Sequence, residues 1–269
     1  IEEARLRDAD CVQIFVSNPR AWAGPRSDDA AAARFRAAFA ASGLELCVAH
    51  LSYIGNVAAW NPEVLRRTRE LLVRTVRACD DLGVQLLVVH TGAGGPQARE
   101  AALRASADSY RLAVDAAEDV RVVAELMAGT SGAVASLPHE AEALFAAVDD
   151  ERLGLVVDTA HAFAAGVPID DPAGVAAFAD ELRQRGLASR LALVHANDSA
   201  FGRGEHRDRH ANVGDGAIGE AGWRALATDP LLSSVPWILE TPGDAERQRA
   251  DIAHLRTLAG GTPAAPVIG

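Results

Sequence analysis

Nine side chains able to ligate a metal punctuate this chain: His50, His90, Glu125, Asp158, His161, His195, Asp208, His210 and Glu240. Six of them sit at or just past the end of a short apolar run: LELCVAH closes on His50, LLVVH on His90, GLVVD on Asp158, LALVH on His195 and WILE on Glu240, while VVAEL carries Glu125 near its end. A lone histidine or aspartate in such a place is most often a hydrogen-bonded structural residue, but six in equivalent places require a common cause. Brought together, carboxylates repel: one like-charged pair at about 4 Å costs on the order of 4 kcal/mol at an effective dielectric near 20. Cations relieve that cost. Mixed imidazole and carboxylate ligation suits zinc or manganese better than magnesium or calcium, which favour oxygen alone. The chemistry expected is metal-assisted hydrolysis, in which coordination lowers the pKa of water from about 15.7 to roughly 7 and neighbouring cations stabilise the charge that develops.

The elements that must position these groups follow from the periodicity. Strand-like runs are read at 11–15, 45–49, 85–89, 121–126, 154–157, 191–194 and 237–239, and helical stretches between them at 28–42, 62–82, 96–119, 138–148, 172–185, 220–228 and 244–259. Continuous apolar strands separated by helices long enough for a crossover indicate a parallel sheet covered on both faces. Such sheets close as an α/β, TIM-type (β/α)8 barrel whose active site lies at the C-terminal ends of the strands. Six ligands from six strands then converge on one mouth, joined by His161, Asp208 and His210 from the loops leaving the Asp158 and His195 strands. Seven β/α units are one short of eight, and the chain opens inside a helical pattern at 1–9. A barrel lacking its first strand is therefore expected, with a gap beside the 11–15 strand or another segment filling it.

Length and composition fit one domain over residues 1–269, since single barrels commonly run to about 250 residues. Hydrophobic residues make up 49% and aromatic ones only 5%, so the core must be built from Ala, Val and Leu. Cys11, Cys47 and Cys79 are scattered without a CxxC pair, which favours reduced thiols and a cytoplasmic location. No apolar run approaches the roughly 20 residues of a membrane span, so no membrane partner is expected. A net charge of −11 taken alone argues against nucleic acid, but net charge is not the local field. Three divalent ions would make a cleft lined by four of those carboxylates its most positive feature.

The stretches VQIFVSNPRAW, HLSYIGN, ELMAGTSG, VVDTAHAFAAG, LVHANDSAFGRGEHRDRHANVGDGAIG and ILETP resemble the endonuclease IV family of apurinic/apyrimidinic endonucleases, within the xylose-isomerase-like barrels. DTAHAFAAG and DRHANVGDGAIG are highly specific, and the matches run nearly the full length. The resemblance implies a monomeric enzyme with a trinuclear zinc cluster, manganese being the alternative at one position. One ion would take His50, His90 and Glu125; a second would share Glu125 and add Asp158, His195 and Glu240; a third would take His161, Asp208 and His210. It implies hydrolysis of double-stranded DNA on the 5′ side of an abasic sugar, leaving a 3′-hydroxyl and a 5′-deoxyribose phosphate. Glu125 would bridge two ions around the nucleophile and Glu240 would help position it.

The resemblance also places Arg20 and Tyr53 among the groups that hold the abasic nucleotide out of the stack, although a solvated loop charge and a packing residue are the plain alternatives. Arg203, Arg207 and Arg209 surround a ligand pair and are read as phosphate contacts, an exposed charged loop being the competing reading. His139, His206 and His254 are read as structural or surface residues, and HTGAGG as flexible backbone, since it lacks the lysine of a P-loop. Two departures from the family bear on phosphate affinity: Ala200 stands where a lysine is common, and the usual GEG is Gly214, Asp215, Gly216.

Two other functions compete. A sugar isomerase or epimerase needs only the set Glu125, Asp158, His195 and Glu240, and has no use for His50, His90, His161, Asp208 and His210 at the same mouth. A noncatalytic binder of damaged DNA would keep the recognition loops without turnover.

Overall fold

The computed structural model describes residues 1–26, 28–260 and 267–268. A short helix α1 (Glu2–Leu6) leads into β1 (Cys11–Ile14), and strands and helices then alternate. They run α2 (Asp29–Ala40), β2 (Leu46–His50), α3 (Pro62–Leu82), β3 (Leu86–His90), α4 (Arg99–Ala116), β4 (Arg121–Glu125), α5 (Pro138–Val148) and β5 (Gly154–Asp158). Next come α6 (Thr159–Ala164), α7 (Pro172–Gln184), β6 (Leu191–His195), β7 (Asp198–Ser199), β8 (His210–Ala211), α8 (Gly219–Thr228), β9 (Trp237–Ile238), α9 (Ala245–Leu258) and β10 (Val267–Ile268).

The sheet order is β1-β2-β3-β4-β5-β6-β9-β10, and every pairing in it is parallel. Seven strands from β1 to β9 form a nearly closed TIM barrel. The place beside β1 where a gap was expected is taken by β10, which pairs with Trp237 and Ile238 and lies against β1. Helix boundaries follow local signals. Asn61 caps α3, its Oδ1 accepting from Glu63 N and Val64 N with Pro62 in the first turn, and Gly83 closes the helix in a left-handed conformation.

Period-two alternation sorts each strand into two faces. Cys11, Val48, Leu86, Val88, Val123, Val156, Leu193 and Ile238 pack together inside the barrel. Their neighbours Cys47, Ala49, Leu87, Val89, Val122, Ala124, Leu155, Val157 and Val194 face the helices and join the larger core. The interior parity continues upward from Val48 to His50, Val88 to His90, Val123 to Glu125, Val156 to Asp158, Leu193 to His195 and Ile238 to Glu240. The ligand residues are thus the uppermost layer of the barrel filling. All three cysteines are buried free thiols.

Candidate metal centre

Four of the strand ladders extend one residue further than the sequence pattern indicates. His50, His90, Asp158 and His195 are the last residues of their strands instead of lying one step beyond them, whereas Glu125, read one residue inside a strand over 121–126, is the last residue of β4. The register sets His90 beside Glu125 and Asp158 beside His195. Glu240 lies two residues past β9, its backbone N–H held by Asn197 Oδ1 at 2.8 Å. His161 sits on α6, a one-and-a-half-turn helix that the sequence reading missed, and Asp158 caps it by accepting from His161 N at 2.9 Å. His210 opens β8, which pairs antiparallel with β7 to make a small hairpin over the mouth. Asp208 lies in the loop before it.

These residues gather into three overlapping groups, each with one ligand atom per residue within 4.8 Å of the others: His50, His90 and Glu125; Glu125, Asp158, His195 and Glu240; and Asp158, His161 and His210. Asp208 Oδ1 completes the last group at 3.3 Å from His161 Nε2 and 3.4 Å from His210 Nε2. Glu125 divides its oxygens between groups. Oε2 faces His50 Nε2 at 3.1 Å and His90 Nε2 at 3.3 Å, whereas Oε1 faces His195 Nδ1 at 2.9 Å. Asp158 likewise falls in two groups, a sharing that the sequence reading did not include.

The donor set fits cations. His161 Nε2 and His210 Nε2 are buried and have no hydrogen-bond partner, which a site for neutral packing would not tolerate. Each ring is oriented from behind: the other nitrogen of His50 faces Leu51 O at 2.7 Å, that of His161 faces Leu126 O at 2.8 Å, and that of His210 faces Glu240 O at 3.4 Å. A ring nitrogen that donates to a carbonyl leaves the opposite lone pair free for a metal. Electrostatics point the same way. Burial alone would push His195 down, but Glu240 and Glu125 override it and raise its pKa to about 9. The same contest lifts His161 well above the ordinary range, with Asp158 the main carboxylate acting on it, and raises His50 through Glu125. Burial works against ionisation of Glu125, yet His195 and His90 hold it well below the usual carboxylate range. The His161 imidazole, with Nε2 3.3 Å from Asp208 Oδ1, lowers Asp208 to about 2. The buried carboxylates thus favour positive charge beside them, whether on the imidazoles or on cations.

Asp198 is a functional-site residue the sequence reading passed over. Fully buried, it accepts from Ser199 N, Gly214 N, Ile218 N and Trp223 Nε1 at 2.7–3.0 Å, tying the loop after His210 to β7 and α8. Gly216 is required there, because a Cβ would lie 2.3 Å from Asp198 Oδ1. Glycine is also required within HTGAGG: Gly92 has φ +84°, and a Cβ on it would meet Ala58 N at 2.8 Å.

The recognition candidates divide. Tyr53 is 57% exposed at the rim, its ring 5.3 Å from His50 and 5.2 Å from Phe15. Arg20 is exposed in the loop after β1, and Ser17 and Asn18 of that loop meet Ser52 beside Tyr53. Arg207 stacks on Phe201 with 3.5 Å to the ring centre, and Arg209 is exposed next to His210. Arg203 is exposed and pairs with Asp170 at 3.0 Å. His139, His206 and His254 belong to none of the three ligand groups.

Residues 1–258 match the family model of the xylose isomerase-like TIM barrels. "Probable endonuclease 4" of Streptomyces avermitilis is 36% identical over 263 residues, covering 96% of this chain and 84% of that protein. The protein of the same name from Methanoculleus marisnigri is 37% identical, covering 95% and 93%. The chain belongs to the endonuclease IV family. The crystal structure of endonuclease IV from Thermus thermophilus superposes with a TM-score of 0.83 at 30% identity, over 97% of this chain and 93% of that one. A D-tagatose 3-epimerase-like protein superposes at 0.71 with 19% identity, which shows the shared barrel alone. This endonuclease IV family member has no helix among its described residues long and apolar enough to cross a membrane.

Proposed function

We propose that this chain is a zinc-dependent hydrolase that cuts double-stranded DNA on the 5′ side of abasic sites, leaving a 3′-hydroxyl and a 5′-deoxyribose phosphate. The observation that carries the reading is the division of Glu125 between two ligand groups with a third group alongside. A sugar isomerase or epimerase is served by Glu125, Asp158, His195 and Glu240; His50, His90, His161, Asp208 and His210 at the same mouth favour the nuclease.

In this reading His50, His90 and Glu125 hold one ion, Glu125, Asp158, His195 and Glu240 a second, and His161, Asp208 and His210 a third. Zinc suits all three groups, with manganese the alternative at one. The ions, when bound, supply Lewis acidity that activates water near neutral pH and stabilises charge on the phosphoryl and leaving oxygens. The protein's own part is positioning. The strand ends fix five ligands on backbone held by the parallel ladder. Tyr53 offers an exposed ring next to His50 against which a displaced sugar can rest, and Arg20 stands in the adjoining loop. Extrusion costs least where no base pairs or stacks. Arg207 and Arg209 face the backbone phosphates, and because every cation among the 26 basic residues is arginine, each can bind a phosphate in two-pronged fashion.

The test is incubation of the metal-replete protein with duplex DNA bearing one abasic analogue. Cleavage on the 5′ side of the lesion is the expected result. Tight binding without cleavage would instead identify a damaged-DNA binder, and the absence of both binding and cleavage would favour the sugar enzymes.

A further inference from the structure

Gln13 takes no part in the roles above, yet it shares the parity of the ligand layer: it lies on β1 two residues beyond Cys11, which packs inside the barrel. Its carboxamide spans two ligands. Nε2 donates to Glu240 Oε1 at 2.5 Å, and Oε1 lies 3.1 Å from His195 Nε2. The partners fix which end of the amide is which, because a carboxylate only accepts. Gln13 Oε1 is then an acceptor, and His195 must present N–H from Nε2 to meet it. With Nε2 committed to Gln13, Nδ1 is the ring atom turned to the carboxylates, facing Glu125 Oε1 at 2.9 Å, Glu240 Oε2 at 3.5 Å and Asp158 Oδ2 at 3.9 Å; without a cation it donates to Glu125, and it would offer its lone pair to a cation held there.

The other buried imidazoles of the centre are oriented by backbone carbonyls, Leu51 O for His50 and Leu126 O for His161. His195 is oriented by a side chain. Moreover, Gln13 reaches Glu240 across the junction where the two-residue β10 lies between β9 and β1. One amide therefore sets the ring of a β6 ligand, aims the carboxylate that follows β9, and ties both to β1.

We propose that Gln13 is a positioning residue for the middle metal group, selecting the His195 tautomer that exposes Nδ1 and holding Glu240 toward the same point. The proposal rests on reading the centre as a metal site, and concerns how that site is kept in shape. Outer partners of ligating side chains typically govern metal affinity by about 10- to 100-fold.

The test compares the full-length zinc-loaded chain with Gln13→Leu, which removes both bonds at similar volume, and Gln13→Glu, which keeps the acceptor for His195 and loses the donor to Glu240. Zinc affinity is measured by chelator competition, and the His195 Nε2–H proton is followed by NMR exchange. Gln13→Leu is expected to weaken zinc binding about 10- to 100-fold and to turn a slowly exchanging Nε2–H into a fast one. Gln13→Glu should keep the protected proton, and it carries the test alone if the leucine variant does not fold. Zinc affinity in Gln13→Leu within about twofold of the parent with an unchanged proton, or loss of the proton in Gln13→Glu, would overturn the proposal. The parent's action on abasic duplex is scored separately: a parent that holds zinc and the protected proton but cuts nothing removes the nuclease reading and leaves Gln13 its role.

Discussion

The candidate metal centre has a deep half and a rim. His50, Glu125, Asp158 and His195 end barrel strands, are at most 2% exposed, and are locked by the parallel ladder below them. Asp208 and His210 come from the loop and two-residue strand of the hairpin above, with side chains 49% and 17% exposed. His161 joins the halves, since it is buried on α6 yet faces Asp208. Deep ligands inherit their geometry from the fold as a whole; rim ligands depend on local tethers, chiefly Asp198. Ions at the two levels should therefore differ in how tightly they are held and in what dislodges them.

The bridging carboxylate gives the largest contrast. Glu125→Gln should reduce cleavage by about a thousandfold while leaving affinity for abasic duplex nearly unchanged, because Tyr53 and the arginines are untouched. Equal losses in single-turnover rate and in DNA binding would show that Glu125 supports the fold of the mouth and not its chemistry. Next, His50→Ala and His210→Ala should separate the halves by metal content. The rim variant should retain about two zinc equivalents per chain, whereas the deep one should disturb the group that shares Glu125 and lose more than one. Identical zinc counts in both would erase the distinction.

Asp198→Ala should act on the rim through its tether. Stranding Gly214 N, Ile218 N and Trp223 Nε1 without their acceptor should cost about 3 kcal/mol in urea unfolding. The rim ion should then dissociate faster on chelator challenge than the deep ones. A stability change with uniform loss at all sites would count against a local tether.

The smallest effect is in pH. Imidazoles raised by folding stabilise the metal-free protein fully below their unfolded pKa of 6.5, and that stabilisation is lost as pH climbs through the folded value, about 9 for His195. The melting temperature of the metal-free chain should therefore fall between pH 6.5 and 9, while the zinc-loaded chain, whose cations have replaced those protons, should change less. Parallel pH curves for the two forms would contradict the picture of protons standing in for metals.

Much of the deep half was legible in the sequence, because a fully buried parallel strand writes its length as an apolar run and its end as the first charged or imidazole residue. Proline in the first turn likewise marked Pro62–Leu82 and Pro138–Val148 to the residue. The rim was harder. A six-residue helix and a hairpin of two-residue strands are too short to show a period, so α6 and the β7–β8 pairing left no pattern, although their ligands were visible as residue types. Asp198 looked like one more polar residue in a loop because its four donors are mostly backbone N–H groups, which sequence does not display. Gln13 was overlooked for its neutrality, though its spacing from Cys11 carried the signal. Arg203 shows the converse, a charge beside ligands in sequence that in space is paired with Asp170.

Anomalous diffraction at the zinc edge from crystals of the metal-replete chain tests the central claim most directly. The account predicts three peaks at the barrel mouth, with Glu125 between two of them and the third beside His161, Asp208 and His210. A lone peak within Glu125, Asp158, His195 and Glu240, with the other histidines unengaged, would contradict it and return the chain to the sugar-isomerase reading.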